Sequence, residues 1–164
     1  MIDFQTIRSE LVRGLSAALG VKVIEINSPV AAPKLPFVTY DFSIGMYEAV
    51  GQPIKLTSPN AVTLSETAEF SVDFQATAAD RGAALELALR ARDWFIGAGH
   101  DVLKYGPAAT VVVSSDQVGN RDVQVGDDWT YQYGFEVLFR AVSTTGYEQT
   151  TIYKATIKEV DPIG

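Results

Sequence analysis

The sequence predicts an α+β fold, a largely antiparallel β-sheet with two α-helices packed on one face. Two segments repeat apolar residues at three- and four-residue spacing, and several others alternate apolar with polar residues. Read along the chain, these segments run α-β-β-β-α-β-β-β, with strands adjacent in blocks, and that order favours antiparallel pairing over parallel crossovers.

The first helix spans residues 4–19, with Phe4, Ile7, Leu11, Leu15, Ala18 and Leu19 on one face and Arg8, Glu10 and Arg13 elsewhere. Asp3 can cap its start and Gly20 its end. Gly14 in its interior costs about 1 kcal/mol relative to alanine, which implies something packed close against it. VKVIEIN (21–27) reads as a strand, and the prolines of SPVAAPKLP then enforce an extended loop. FVTYDFSIGM (37–46) alternates, with Val38, Tyr40, Phe42 and Ile44 on one face. Residues 47–65 show no firm period and read as a long excursion. TAEFSVDFQA (67–76) alternates cleanly, with Phe70, Val72, Phe74 and Ala76 facing in and Glu69, Ser71, Asp73 and Gln75 facing out.

Thr77 and Asp80 stand at the spacing of a capping-box variant that opens a second helix. Ala84, Leu87, Ala88, Ala91, Trp94 and Phe95 form its apolar stripe, Glu86, Arg90 and Asp93 lie opposite within pairing distance, and Gly97 and Gly99 end it. ATVVVSSD follows, then a turn-rich stretch to Asp128, then DDWTYQYGFEVLFRAVST (127–144), and last an alternating segment, TTIYKATIKE (150–159). We expect one domain, residues 1–164, with the excursion at about 47–65 and a C-terminal strand at about 150–159.

Charge and composition exclude several functions. With 13 basic and 20 acidic residues the net charge is −7, and no Lys/Arg cluster offers a basic footprint for a phosphate backbone. The absence of cysteine removes disulfides, thiolate nucleophiles and thiolate metal sites. The opening MIDFQTIRSELVRGL is amphipathic rather than a charged end with an apolar run, so no signal peptide is expected. No stretch approaches ~18 uninterrupted apolar residues, so no membrane span or membrane partner is expected.

The chain also lacks the residues catalysis needs. Its one histidine, His100, sits in GAGHDV just past a helix end, where a lone residue beside Asp101 reads as a surface side chain. There is no G-x-S-x-G, no phosphate-cradling Gly-Lys-Ser/Thr and no G-x-G-x-x-G opening a helix. Asp116, Asp122, Asp127 and Asp128 invite a calcium reading, but neither Asp116 nor Asp122 as first ligand sets the required oxygens and glycine in register. We expect no enzyme, no cofactor, no metal and no catalytic residue.

The strand from Trp129 remains. Trp129, Tyr131, Tyr133, Phe135, Val137, Phe139 and Ala141 stand at every second position. At ~3.3 Å per residue, residues 129–142 span roughly 45 Å, against about 30–35 Å for a compact domain of this size. Either the strand bends, with Gly134 the natural hinge, or part of it projects to pair outside the subunit. A bent central strand whose aromatics fill the core is the plainer alternative.

The succession of IRSELVRGLSAAL, LPFVTYDF after a proline-rich loop, AEFSVDFQATAADRGAALELALRARDWF, an acidic turn and DDWTYQYGFEVLFRAVS resembles the phage neck and tail terminator family over about residues 2–143. The resemblance implies a structural virion protein of a tailed bacteriophage. It would form a homohexameric ring at the neck that ends the tail tube, with tube and sheath proteins below and the head connector above, assembled in the host cytoplasm. Phage DNA would pass through the hole without specific binding, which an acidic subunit suits. The candidate subunit interface draws on Tyr47, Val50, Ile54, Leu56, Asn120, Asp127, Trp129 and Tyr131. Candidate lumen carboxylates are Glu69, Asp73 and Asp128, with Asp127 beside them. Two other readings stay open: a head-completion or connector protein one layer up, and a small-molecule-binding α+β domain with a cleft built from Trp129, Tyr131 and Tyr133.

Overall fold

A computed structural model describes residues 1–42 and 47–149, and the alternating segment at 150–159, like Ile44, lies outside the described residues. The elements are helix α1 (Phe4–Leu19), strands β1 (Lys22–Glu25), β2 (Phe37–Phe42), β3 (Glu48–Ser58) and β4 (Ala61–Ala78), helices α2 (Arg81–Ile96) and α3 (Ala98–Tyr105), and strands β5 (Val111–Ser115), β6 (Gly119–Asn120), β7 (Val123–Val125) and β8 (Asp128–Glu148). The class is α+β as the sequence predicts. The spine of the sheet is the β4–β8 pair, antiparallel through 18 residue pairs with no break in register. The strand order is β1-β2-β4-β8-β5; β3 pairs β4, and β6 and β7 pair β8. Among the described strands only β1 and β2 run parallel.

Local chemistry sets the helix ends. The Asp3 carboxylate accepts hydrogen bonds from the Thr6 N–H at 3.1 Å and the Thr6 hydroxyl at 2.6 Å, and Gly20 closes α1 at φ +70. The start of α2 corrects the sequence reading: Asp80 is itself the N-cap, accepting from the Ala83 N–H at 2.8 Å. Thr77 still belongs to β4, where its buried hydroxyl accepts from Gln132 Nε2. The charged side of α2 differs too: Glu86, Arg90 and Asp93 form no ion pair with one another, and Arg90 donates to the Leu19 carbonyl. Gly97 ends α2, but the chain re-enters a short third helix at once, and His100 sits within α3 with Nδ1 3.2 Å from Asp101 Oδ1.

One apolar cluster lies between the helices and one face of the sheet. α1 contributes Ile7, Leu11, Leu15 and Leu19; the sheet contributes Phe70, Val72, Phe74, Phe135, Val137 and Phe139; α2 adds Leu87, Ala88, Ala91 and Phe95. Phe95 is fully buried, with ring centroids 4.6 Å from Phe74, 6.3 Å from Phe135 and 5.7 Å from Phe139. Burial of each such side chain contributes about 2–3 kcal/mol, so this aromatic knot holds the helical layer onto the spine.

β8 resolves the question its length raises. Gly134 is no break in pairing: it stands opposite Gln75 inside the unbroken ladder. At ~3.4 Å per residue its 21 residues cover about 70 Å, and the core aromatics occupy only its middle. Outside that middle, Asp128 and Trp129 at one end and Val142 and Thr144–Glu148 at the other are exposed.

Candidate functional site

The C-terminal end of β8 forms an arm with β3 and the first half of β4. The 47–65 excursion is thus ordered strand: Glu48–Ser58 form β3, and Ala61 to Ser65 begin β4. All 11 residues of β3 are exposed, and its partner strand is β4. Because residues alternate across a strand, register assigns the two faces. Ala68, Phe70, Val72 and Phe74 point to the helices and Val62 shares their face, whereas Thr63, Ser65 and Thr67 point to the outer face. Val50 lies opposite Thr67 and then Val142, Ile54 opposite Ser65 and then Thr144, and Leu56 opposite Thr63 and then Gly146. Val50, Ile54, Leu56 and Val142 therefore share the outer face, at 41%, 64%, 63% and 63% exposure.

The arm has two open edges. The edge of β3 away from β4 has no strand beside it among the described residues. On the other side, β5 accompanies β8 only as far as Arg140. From Val142 to Glu148 that edge of β8 is bare among the described residues, except that the N-terminal ammonium donates to the Thr144 carbonyl at 2.6 Å. An open recess of about 430 Å³, lined by Met1, Ile2, Ile7, Pro107, Ala109 and Val142 among others, runs beside it. Among the described residues, Lys55 on β3, Glu66 on β4 and Glu148 on β8 have no ion-pair partner.

The opposite end of β8 is a hairpin with β7, turning at Gly126 (φ +64) and Asp127. Asp122 anchors it: its side chain is 4% exposed and accepts from the Gln132 N–H at 2.9 Å and from Arg81 Nε at 2.8 Å. Hydrogen bonds from the Asn120 side chain and the Gln132 N–H, with the Arg81 guanidinium beside them, hold the Asp122 carboxyl below the usual carboxylate range. Asp122, weighed above as a calcium ligand, is instead a structural acceptor.

The candidate interface residues fall into two separate groups. Tyr47, Val50, Ile54 and Leu56 lie on or beside the arm. Asn120, Asp127, Trp129 and Tyr131 lie at the hairpin end. Trp129 and Val142 are about 43 Å apart along β8. Trp129 is 51% exposed, while Tyr131 is half-buried beneath the Arg81 guanidinium, 6.0 Å from its ring centroid. Of the lumen candidates, Asp128 is exposed at the hairpin, but Glu69 and Asp73 share the outer face with arginine partners. Arg140 donates to Glu69, with Nε at 2.9 Å, and Arg121 clamps Asp73 at 2.5 and 2.8 Å. Sequence spacing did not reveal these arginines, because each reaches its acid across strands far apart in the chain. Sequence reading also missed Val142; the signal that could have found it is an apolar residue at an outward position of the alternation in β8.

An open recess of about 760 Å³ is lined by Arg8, Ser9, Val12, Ser16, Val23 and Tyr40 among others; Trp129, Tyr131 and Tyr133 are not part of it. Among the described residues no group of three acidic or histidine side chains gathers as a metal site. No helix among them is long and apolar enough to cross a membrane.

A protein-family model described as "phage neck terminator protein" matches residues 9–163. No curated protein matches the chain.

Proposed function

This chain belongs to the phage neck terminator protein family, and from that premise we propose that it works as a homohexameric ring closing the upper end of the tail tube. Membership carries a structural role in the virion neck and contact with other tail and neck proteins. The finer reading is ours: one domain over residues 1–164, copies of itself on either flank, tube and sheath proteins below, the head connector above, and assembly in the host cytoplasm.

The observation that carries this reading is the arm. An 11-residue strand with every residue exposed, apolar side chains on its outer face and a backbone edge unpaired among the described residues is a liability in a free monomer. It is what a subunit needs when it is completed by neighbours. The net charge of −7 supports the DNA passage: carboxylates facing a hole repel phosphates and leave no counterion-release binding term. Asp128 and the adjacent Asp127 stand exposed and suit that role; Glu69 and Asp73, each beside an arginine, would contribute little field.

Electron microscopy of the purified protein, alone and mixed with tail tubes, tests the proposal. Six-membered rings, free or seated on the head-proximal end of the tube, are expected. Tubes that stay uncapped at saturating protein, with no rings in solution, would refute it. Density one layer above the tube end would favour the connector reading.

A further inference from the structure

We propose that the ring closes through the arm: the edge of β3 at Ile54–Ser58 adds as a parallel strand to the bare edge of β8 at Val142–Glu148 in the next copy. This rests on the ring reading above and specifies its joint.

Strand polarity decides the geometry. β3 and β8 both run antiparallel to β4, so they are parallel to each other, one on each side of the same ribbon. Rotation about a ring axis preserves that polarity. The β3 edge of one copy therefore meets the β8 edge of the next in parallel, and the contact repeats head to tail until the ring closes. A two-fold pairing of β3 with β3 would be antiparallel, use one edge per copy and stop at a dimer.

The two edges differ in how they are defended. Between Val50 and Ile54 the register of β3 shifts, with Gly51 at φ +80, and Pro53 has no N–H to donate. This blunts the root half of β3 and leaves Ile54–Ser58 for pairing. The β8 edge, VSTTGYE, carries no proline, lysine or register break, the devices that protect a sheet margin from a stray partner. Charge points the same way. Lys55 is the only charged side chain of Ile54–Ser58, and Glu148 the only one of Val142–Glu148. Lys55, opposite Leu64, lies on the helix-side face, so heterologous pairing sets it on the same face as the neighbour's half-buried Glu66 one strand further in, while Glu148 falls on the outer face; β3 against β3 instead crowds two Lys55 side chains together. Joined this way, Ile54 and Leu56 continue the outer-face strip into the neighbour's Val142, which is now 63% exposed. The incoming strand displaces the Met1 ammonium from the Thr144 carbonyl, and the recess at Pro107–Ala109 lies beside its path.

The chain has no cysteine, so engineered pairs report cleanly. Leu56→Cys is combined in turn with Val142→Cys, Thr144→Cys and Gly146→Cys in the full-length protein, oxidised on tail tubes. Within one subunit β4 separates these positions by two strand spacings, about 9.6 Å, beyond the ~7 Å limit for a disulfide, so any bond joins two copies. We expect at least one pair to give a ladder of covalent oligomers up to the ring, and no single variant to do so. A second variant, Thr144→Pro, removes an N–H on the same edge as the Thr144 carbonyl and spares the β4 ladder; it should fold, melt within a few degrees of the parent and lose the rings. Three results overturn the joint while leaving the ring standing: rings with no ladder from any pair, rings that persist undiminished in Thr144→Pro, and a ladder that appears only after deletion of residues 150–164, which would assign the edge to the chain's own C-terminal segment. A dimer from Leu56→Cys alone, with nothing larger, overturns the joint in favour of a two-fold. Absence of any assembly, free or on tubes, overturns both.

Discussion

Gly134 and Gly14 show how a residue the sequence marks as unusual can have a reason only neighbours supply. A Cβ built on Gly134 would stand 2.6 Å from the guanidinium carbon of Arg121, so this glycine makes room for the clamp on Asp73 rather than a bend. Gly134→Ala should push Arg121 aside and cost about 1 kcal/mol, discounted because the pair is partly exposed, and should cost much less in an Asp73→Ala background; chemical denaturation of the double-mutant cycle measures this. The close packing expected at Gly14 is the Trp94 ring, 2.7 Å from a Cβ there, and the same ring lies 2.5 Å from a Cβ on Gly99. Wedged between two glycines, the indole has nowhere to go, so Gly14→Ala should destabilise by about 1–2 kcal/mol despite alanine's helix propensity, and Trp94→Leu should reverse the sign. Asp122 sets an acid response. Its folded carboxyl lies below the unfolded value of about 3.9, so its contribution is complete above that pH and is lost as pH falls through the folded value. Melting temperatures between pH 5 and pH 2 should therefore fall less steeply in Asp122→Asn than in the parent.

Among the elements, legibility followed periodicity. α1, α2 and the inward face of β4 were readable because burial on one side imposes spacings of 3.6 and 2 on the residues themselves. β3 was not, because no residue in it is buried and nothing constrains which positions are apolar. α3 was missed for a related reason: Gly97 and Gly99 read as terminators, yet Gly99 is buried under Trp94 and the helix passes through it. Thr77 read as a cap only because the end of β4 could not be seen locally. The exposure of β3 predicts a separation of stability from assembly. Ile54→Lys with Leu56→Lys should change subunit stability by no more than ~0.5 kcal/mol and abolish ring formation, checked by calorimetry and electron microscopy on the same preparation. Removal of residues 48–58 should likewise leave a folded monomer that does not assemble.

Across the whole molecule the long β4–β8 spine joins a packed centre to two wet ends. Hydrogen exchange should rank them, with amides of Phe70–Thr77 and Gln132–Phe139 slowest and those of Ile54–Ser58 fast in the free subunit, the latter slowing at least tenfold on assembly if their edge is filled. The hairpin end, with Trp129 half-exposed, belongs to another surface some 43 Å away. By itself the amino-acid order determined the class of fold, most inward residues of α1, α2 and β4, and the excess length of β8, since each follows from local spacing and composition. Only the tertiary structure decided that Gly134 accommodates an arginine, that Glu69 and Asp73 have cationic partners, and that β3 and the end of β8 present margins, open among the described residues, on opposite sides of one ribbon. Those properties depend on which strands become neighbours, and hydrogen-bonded pairing across tens of residues leaves no periodic trace in either partner.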